Sequence, residues 1–254
     1  MEGYDAATYG DRFADVYDDW YADVTDVEAT VARLAALASG RGPILELGIG
    51  TGRLALPLAR LGFDVRGVDA SAAMVDRLRA KPGGAEVPVA IADLASFTPP
   101  GRAGDPAGGV RFGLVFVAYN TLFNVTDPAG QDRCVATVAE ALAPGGRFVV
   151  EAFVPPSGDH ADQGSVAVRD LTTTRVVLSV ARHDPSAQTM TGQFVDITEA
   201  GIRLRPWHLR YLGPDQLDEL VARHGLVLED RWADWARTPF ADDARAHVSV
   251  YRRT

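Results

Sequence analysis

The sequence predicts an α/β protein built on one doubly wound, mostly parallel sheet. Three observations carry this reading. Short apolar runs alternate with helix-period segments from Pro43 to Phe153, a glycine-rich turn follows the first run, and the 254 residues, 47% hydrophobic and 23% charged, have the make-up of one large soluble domain.

Taken in order, Phe13, Val16, Tyr17, Trp20, Tyr21 and Val24 share one helical face while aspartates occupy the other, so the opening reads as one amphipathic helix. Val27 to Ala38 is a second helix, ended by Gly40. There follow strand Pro43 to Leu47, helix Gly52 to Leu61, strand Asp64 to Val68, helix Ser71 to Lys81, strand Val87 to Ala92, strand Phe112 to Ala118, helix Asp127 to Leu142 and strand Gly146 to Phe153. Strands joined through helices imply parallel pairing by right-handed crossovers. Pro99 to Gly109 is a Gly/Pro/Ala-rich surface loop. From Ser165 the rhythm changes to strands alone. Leu171 to Ala181, Thr189 to Thr198 and Ile202 to Tyr211 are joined by turn-forming residues, an antiparallel meander inserted in the α/β pattern. A last helix, Pro214 to His224, and two strands, Leu226 to Trp235 and His247 to Arg252, return to the sheet.

The charge balance narrows the partners. A net charge of −9 offers no basic footprint for phosphates, so nucleic acid is not expected, and no apolar run approaches the ~18 residues of a membrane span. The acidic opening lacks the form of a signal peptide, which makes the cytoplasm the expected location. Residues 1–30 hold nine acids against Arg12 alone. That reads as a solvated helix face, or as a field drawing in a cationic ligand. The single cysteine, Cys134, offers neither a disulfide nor a zinc cluster, and no metal is expected. Lys81 is the only lysine.

Chemistry concentrates in Glu46-Leu47-Gly48-Ile49-Gly50-Thr51-Gly52-Arg53 and in Asp69 at the end of the second strand. Glycines 48, 50 and 52 let the backbone turn with positive φ and admit a ligand close to the chain. Asp69, 17 residues past the last glycine, would accept from two ribose hydroxyls. Dinucleotide folds space their glycines as Gly-x-Gly-x-x-Gly to face a pyrophosphate. Here the spacing is Gly-x-Gly-x-Gly, and a carboxylate at Glu46 would repel a phosphate but suit an ammonium or sulfonium.

With Glu46, the glycines, Asp69 and the Ile91-Ala92-Asp93-Leu94 step, the chain resembles the class I S-adenosylmethionine-dependent methyltransferases, well over residues 40–153 and elsewhere by architecture. The resemblance implies a Rossmann-like seven-stranded sheet whose last strand is antiparallel, and S-adenosylmethionine as cofactor with S-adenosylhomocysteine as product. It further implies that Gly48, Gly50 and Gly52 line the methionine part, Asp69 holds the ribose, and Ala70 and Met74 cover the adenine. Asp93 and the Leu94 amide would meet the adenine edge, Ala118 and Tyr119 would lie near the sulfonium, and Glu46 would order the glycine loop or the methionine amino group. Ala143-Pro144-Gly145-Gly146 resembles the family's turn before its fifth strand. The aromatic N-terminus and the meander are similar to those of glycine and amino-sugar N-methyltransferases. The Asp/Asn-Pro-Pro-aromatic motif of enzymes that methylate nucleic-acid amino groups is missing, which favours a small-molecule acceptor for N- or O-methylation, in secondary metabolism on this likeness.

The implied organisation is an N-terminal helical lid over 1–40, a cofactor-binding core over 41–164, a β insertion over 165–212 capping the active site and a return to the core over 213–254. Acceptor-site candidates are Tyr17 and Tyr21 on the opening helix, Tyr119, Asn120 and Asn124 after the fourth strand, and Glu151 and Phe153 ending the fifth. His208, on the segment expected to cap the pocket, is a candidate base; His160, His183, His224 and His247 read as solvated or capping. Arg203, Arg205 and Arg210 read as a solvated strand face or as a carboxylate clamp. The assembly is expected to be a monomer or homodimer. A nicotinamide-dependent oxidoreductase and a non-catalytic nucleoside-binding protein are the competing classes.

Overall fold

Strands β1 (Ile44–Leu47) and β4 (Phe112–Val117) are buried at every position, as central parallel strands covered on both faces must be. With β2 (Val65–Asp69), β3 (Val89–Ile91), β5 (Leu142–Phe153), β10 (Leu226–Trp232) and β11 (Ala246–Arg253) they form a seven-stranded sheet, order β10-β11-β5-β4-β1-β2-β3. β11 runs antiparallel to both neighbours and the other pairings are parallel. The computed structural model describes residues 1–22, 25–105, 109–155 and 164–254. Among them no helix is long and apolar enough to cross a membrane.

Alternate residues of each strand feed two cores. Leu45, Val115 and Val150 face α6 (Pro128–Ala141) and α7 (Pro214–Ala222), while Ile44, Leu114 and Val149 face α3 (Val27–Ala38) and α4 (Ala55–Arg60). Helix starts follow side-chain caps: Asp26 accepts from the Ala29 amide, Asp127 from Gly130, and Ser71 from Met74 at the head of α5 (Ala72–Arg79). The chain leaves β1 toward β2 on one side and reaches β4 on the other. This reversal opens a crevice at the carboxyl ends of β1 and β4.

Two expectations need correction. The opening is two short helices, α1 (Thr8–Phe13) and α2 (Tyr17–Trp20), broken at Val16. The apolar stripe continues through the break, which is why its period suggests one helix; Val24 lies outside the described residues. The meander has four strands: β6 (Gly164–Leu171), β7 (Arg175–Asp184), β8 (Thr189–Thr198) and β9 (Gly201–Arg210), in sequential antiparallel order. The added strand, β6, precedes the expected Leu171 to Ala181 run, and a turn closed by Thr172 N–H donating to the Arg175 carbonyl sets it off from β7.

Candidate active site

The loop after β1 is built by backbone geometry. Gly48 and Gly50 have φ of 73° and 53°, and a Cβ at Gly48 would lie 2.3 Å from the Thr121 methyl. Gly52, also at positive φ, instead allows close packing on Leu56 and Leu78. Asp69 braces this loop: its carboxylate accepts from the Gly50 amide at 2.7 Å and the Ser71 amide at 2.9 Å. Burial raises its pKa against the pull of those amides. Gly48, Gly50, Asp69, Ala70, Met74, Asp93 and Leu94 line one crevice, over which Tyr9, Gly10 and Tyr17 close from the lid. Of the sequence-derived cofactor residues these seven are brought together, whereas Gly52, Glu46, Ala118 and Tyr119 lie outside that lining.

Glu46 is buried, and its Oε2 has no hydrogen-bond partner among the described residues. Burial pushes its carboxyl up to about 8, opposed by the Arg53 guanidinium and reinforced by Asp69. Arg53 donates to Thr25 and also acts on Tyr17, Tyr119 and Glu151. It is a central charge that the sequence reading quoted only as the end of a motif.

Beside the crevice lies a cavity of about 370 Å³, sharing Tyr9, Tyr17, Thr121 and Asn124 with it. Tyr17 and Tyr21 stack at 4.7 Å, Tyr119 meets Tyr21 edge-on at 5.8 Å, and the Tyr9 hydroxyl donates to that of Tyr21 at 2.9 Å. Asn120 and Phe153 line it from the core, Met190, Phe194, Trp207 and Leu209 from the meander. Trp207 lies across Gly192, where a Cβ would come within 2.4 Å of the ring. Among the described residues that line it there is no carboxylate, histidine, lysine or arginine, and burial raises the pKa of all four tyrosines. Tyr9, Phe194 and Trp207 escaped the sequence reading, although Tyr9 extends the Phe13 stripe by four residues.

Tyr119 and Asn120 hold left-handed conformations, φ 47° and 65°. The Glu151 carboxylate accepts from the Tyr119 amide at 2.8 Å, its carbonyl accepts from the Asn120 amide at 3.0 Å, and Asn120 Oδ1 accepts from the Phe153 amide at 2.7 Å. Glu151 therefore fixes the corner and does not line the cavity.

The lid aspartates Asp11, Asp15, Asp18 and Asp19 are exposed, as a solvated helix face is, but three of them are also paired. Asp11 accepts from the Ser71 hydroxyl at 2.6 Å, Asp18 from Thr51 at 2.5 Å and Lys81 at 2.9 Å, and Asp15 pairs with Arg203 and Arg205. Arg205 is buried, and Arg210 donates to Gln131. None of the three arginines lines the cavity. His208 lies on the face of β9 opposite Trp207 and Leu209, 2.6 Å from the Thr191 hydroxyl, with its pKa lowered by burial. His183 meets Tyr211, His224 meets Asp132 and His247 is buried beside Ser249. His160 lies outside the described residues.

The Methyltransferase domain family matches residues 44–146. Over 139 residues, 55% of this chain, the sequence is 29% identical to an uncharacterized methyltransferase of Geobacillus kaustophilus, spanning 59% of that curated relative's length. The structure of the CcbJ methyltransferase from Streptomyces caelestis superposes with a TM-score of 0.86 at 40% identity, covering 99% of this chain and 100% of that one. The sugar N-methyltransferase KedS8 from Streptoalloteichus shares the fold, with a TM-score of 0.66, 21% identity and coverage of 100% and 99%.

Proposed function

The chain belongs to the class I S-adenosylmethionine-dependent methyltransferases, and from that premise we propose that it methylates an amine nitrogen of a small organic molecule held in the tyrosine-lined cavity. The cofactor supplies an electrophilic methyl on a sulfonium. The residues present fit such a ligand. Among the described residues Glu46 offers a buried carboxylate oxygen without a partner, which an ammonium satisfies, and no basic side chain lines the crevice to take a phosphate. In this reading Gly48 and Gly50 receive the methionine end, Glu46 its ammonium and Asp69 the ribose. Ala70, Met74, Asp93 and Leu94 surround the adenine, and Tyr119 with Ala118 stands nearest the sulfonium.

The observation that carries the choice of nitrogen is the lining of the acceptor cavity. A hydroxyl acceptor needs a base poised near neutrality, and the described lining has none. A free amine brings its own lone pair, and the cation it becomes is stabilised over tyrosine and tryptophan faces. Tyr17, Tyr21, Tyr119 and Asn120 are accordingly assigned to aligning the acceptor and excluding water, with no proton to move. His208 is left without a part in the transfer. The name of KedS8, a sugar N-methyltransferase, agrees with this reading. A nicotinamide oxidoreductase is set aside by family membership, and a non-catalytic nucleoside binder has no use for a second cavity opening on the first.

The test is turnover to S-adenosylhomocysteine with paired amines and alcohols of one carbon skeleton. Methylation of amines alone is expected. Equal turnover of the alcohols would overturn the reading.

A further inference from the structure

Three guanidiniums surround the Trp20 ring of α2, those of Arg169, Arg175 and Arg205, at 5.0, 5.2 and 5.3 Å. Two are neutralised where they stand. Arg175 pairs with Asp196 at 2.6 Å, and the buried Arg205 lies against Asp15 of the lid and, at 3.6 Å, Asp196. Among the described residues Arg169 pairs with no carboxylate and donates only to the Trp20 carbonyl, at 3.0 Å, leaving most of its donors unspent.

Strand β6 is bent to put it there. Val168 pairs with Leu178 and Asp170 with Val177, so Arg169 is the extra residue of a β-bulge, a device that re-aims a side chain. Its guanidinium lies 5.0 Å from the centre of the Phe194 ring and 5.5 Å from that of Tyr21. Both rings line the acceptor cavity. Arg169 is exposed and is not itself in that lining, so it stands at the rim. Its charge reaches inside: burial raises the pKa of Tyr21 and Tyr119, and Arg169 opposes the rise in both.

We propose that Arg169 selects the acceptor, and that the amine held in the cavity carries on the far side of its skeleton a carboxylate that this guanidinium binds. The proposal rests on the acceptor reading given above. A cavity of about 370 Å³ is ~9 Å across if compact, so a ring or a chain of several atoms separates amine from carboxylate. The planar fork of a guanidinium matches a carboxylate, and the rings of Trp20, Tyr21 and Phe194 help to hold its plane. One unpaired positive charge balances one carboxylate. A phosphate, with up to about two charges at pH 7, would call for a second free cation, and Arg175 and Arg205 are spent. Arg53, the other guanidinium acting on Tyr119, also acts on Glu46 at the crevice. Fastening the lid does not account for Arg169, because Arg205 already ties Asp15 to β9.

The test is calorimetric binding to the full chain saturated with S-adenosylhomocysteine, so that no turnover is needed. Two matched pairs serve as probes: 4-(aminomethyl)benzoate against 4-(aminomethyl)benzamide, and 4-(hydroxymethyl)benzoate against its amide. Wild type should bind the amino carboxylate about tenfold tighter than the amino amide, and the preference should shrink as salt rises. Arg169→Met keeps the apolar stem and should bring the ratio to about one, while Arg169→Lys, which keeps the charge and loses the fork, should retain part of it. A guanidinium that only braces the lid would weaken both members of a pair alike, so a ratio unchanged in Arg169→Met overturns the proposal. So does a wild type without the preference, failure to bind either amine included. The alcohol pair separates this proposal from the choice of nitrogen. A carboxylate preference there that vanishes in Arg169→Met upholds the carboxylate site whichever atom is methylated, whereas turnover of the alcohols bears on the nitrogen alone.

Discussion

Glu46 costs the fold stability, and replacing it by glutamine measures how much. Its carboxyl is moved from 4.5 to about 8 by burial. At pH 7 the unfolded chain holds it ionised while the fold keeps it protonated, a difference of roughly 2.5 pH units at about 1.4 kcal/mol each, or ~3 kcal/mol. The folded pKa is raised, so the contribution to stability is complete below the unfolded value of 4.5 and is lost as pH climbs toward about 8. Glu46→Gln removes the titration and keeps the shape. At about 2–4 °C per kcal/mol for a chain of this size, the variant should melt roughly 6–12 °C higher than wild type at pH 7, the gap shrinking to about 1–2 °C at pH 4.5. Binding should move the other way. An ammonium arriving beside the orphaned oxygen expels the proton, so wild type should release close to one proton per S-adenosylmethionine bound at pH 7, read from calorimetric heats in buffers of different ionisation enthalpy. Glu46→Gln should release none and bind more weakly. A variant that melts with wild type at pH 7 and binds the cofactor with the same affinity and proton count would refute both the buried-charge argument and the ammonium assignment.

Four further outcomes are expected. Asp69→Ala should weaken cofactor affinity more than tenfold in an equilibrium titration; an unchanged value contradicts the ribose assignment. Asp18→Asn removes the charge that pairs the lid with Lys81 and leaves an oxygen to accept from Thr51. Half-exposed pairs are worth ~0–1 kcal/mol, so cofactor dissociation followed by tryptophan fluorescence should quicken up to about fivefold, and a rate unchanged in low salt would show that the latch holds nothing. With no base among the described lining residues, kcat/KM for an amine should climb about tenfold per pH unit to the amine's own pKa and then level. A further limb that disappears in Tyr21→Phe or Tyr119→Phe would place a titrating base where none is assigned. His208→Ala should keep turnover within about twofold, and a loss of about a hundredfold or more would restore the histidine to the chemistry.

The crevice proposed for the nucleoside was legible as a crevice because its determinants are local. A buried strand, glycines needing positive φ and an acid at the next strand's end all lie within Glu46 to Asp69, and the crossover rule places the two strands side by side. The break at Val16 was not legible, since the stripe from Phe13 to Tyr21 keeps its period while its residues divide between different neighbours: Asp15 reaches Arg205 on β9 and Asp18 reaches Lys81 after α5. The acceptor cavity is harder still. Phe194 and Trp207 reach Tyr21 and Tyr119 only through a sheet far along the chain, and a strand's period of two decides which of Trp207 and His208 faces inward. Without the register of β8 on β9, His208 is the more attractive catalyst. With it, the Thr191 hydroxyl takes the imidazole on the far side.

The corner at Tyr119 and Asn120 ties the legible part of the site to the illegible one. A left-handed conformation is ordinary for asparagine, but for tyrosine it costs on the order of 1 kcal/mol or more, and two in succession persist only where their surroundings over-determine them. Here they are held from one neighbouring strand: Glu151 takes both amides, one by side chain and one by backbone, and Asn120 returns a bond to Phe153. An extended continuation of β4 would carry Tyr119 on along the strand. The reversal instead brings its ring against Tyr21 and sets Thr121 close over Gly48, so the wall between the crevice proposed for the cofactor and the cavity proposed for the acceptor is one bent peptide segment. The strain sits at the boundary the methyl group would cross, and a rigid boundary is what an alignment-driven transfer needs, because a misplacement of ~1 Å is enough to cost about a hundredfold in rate.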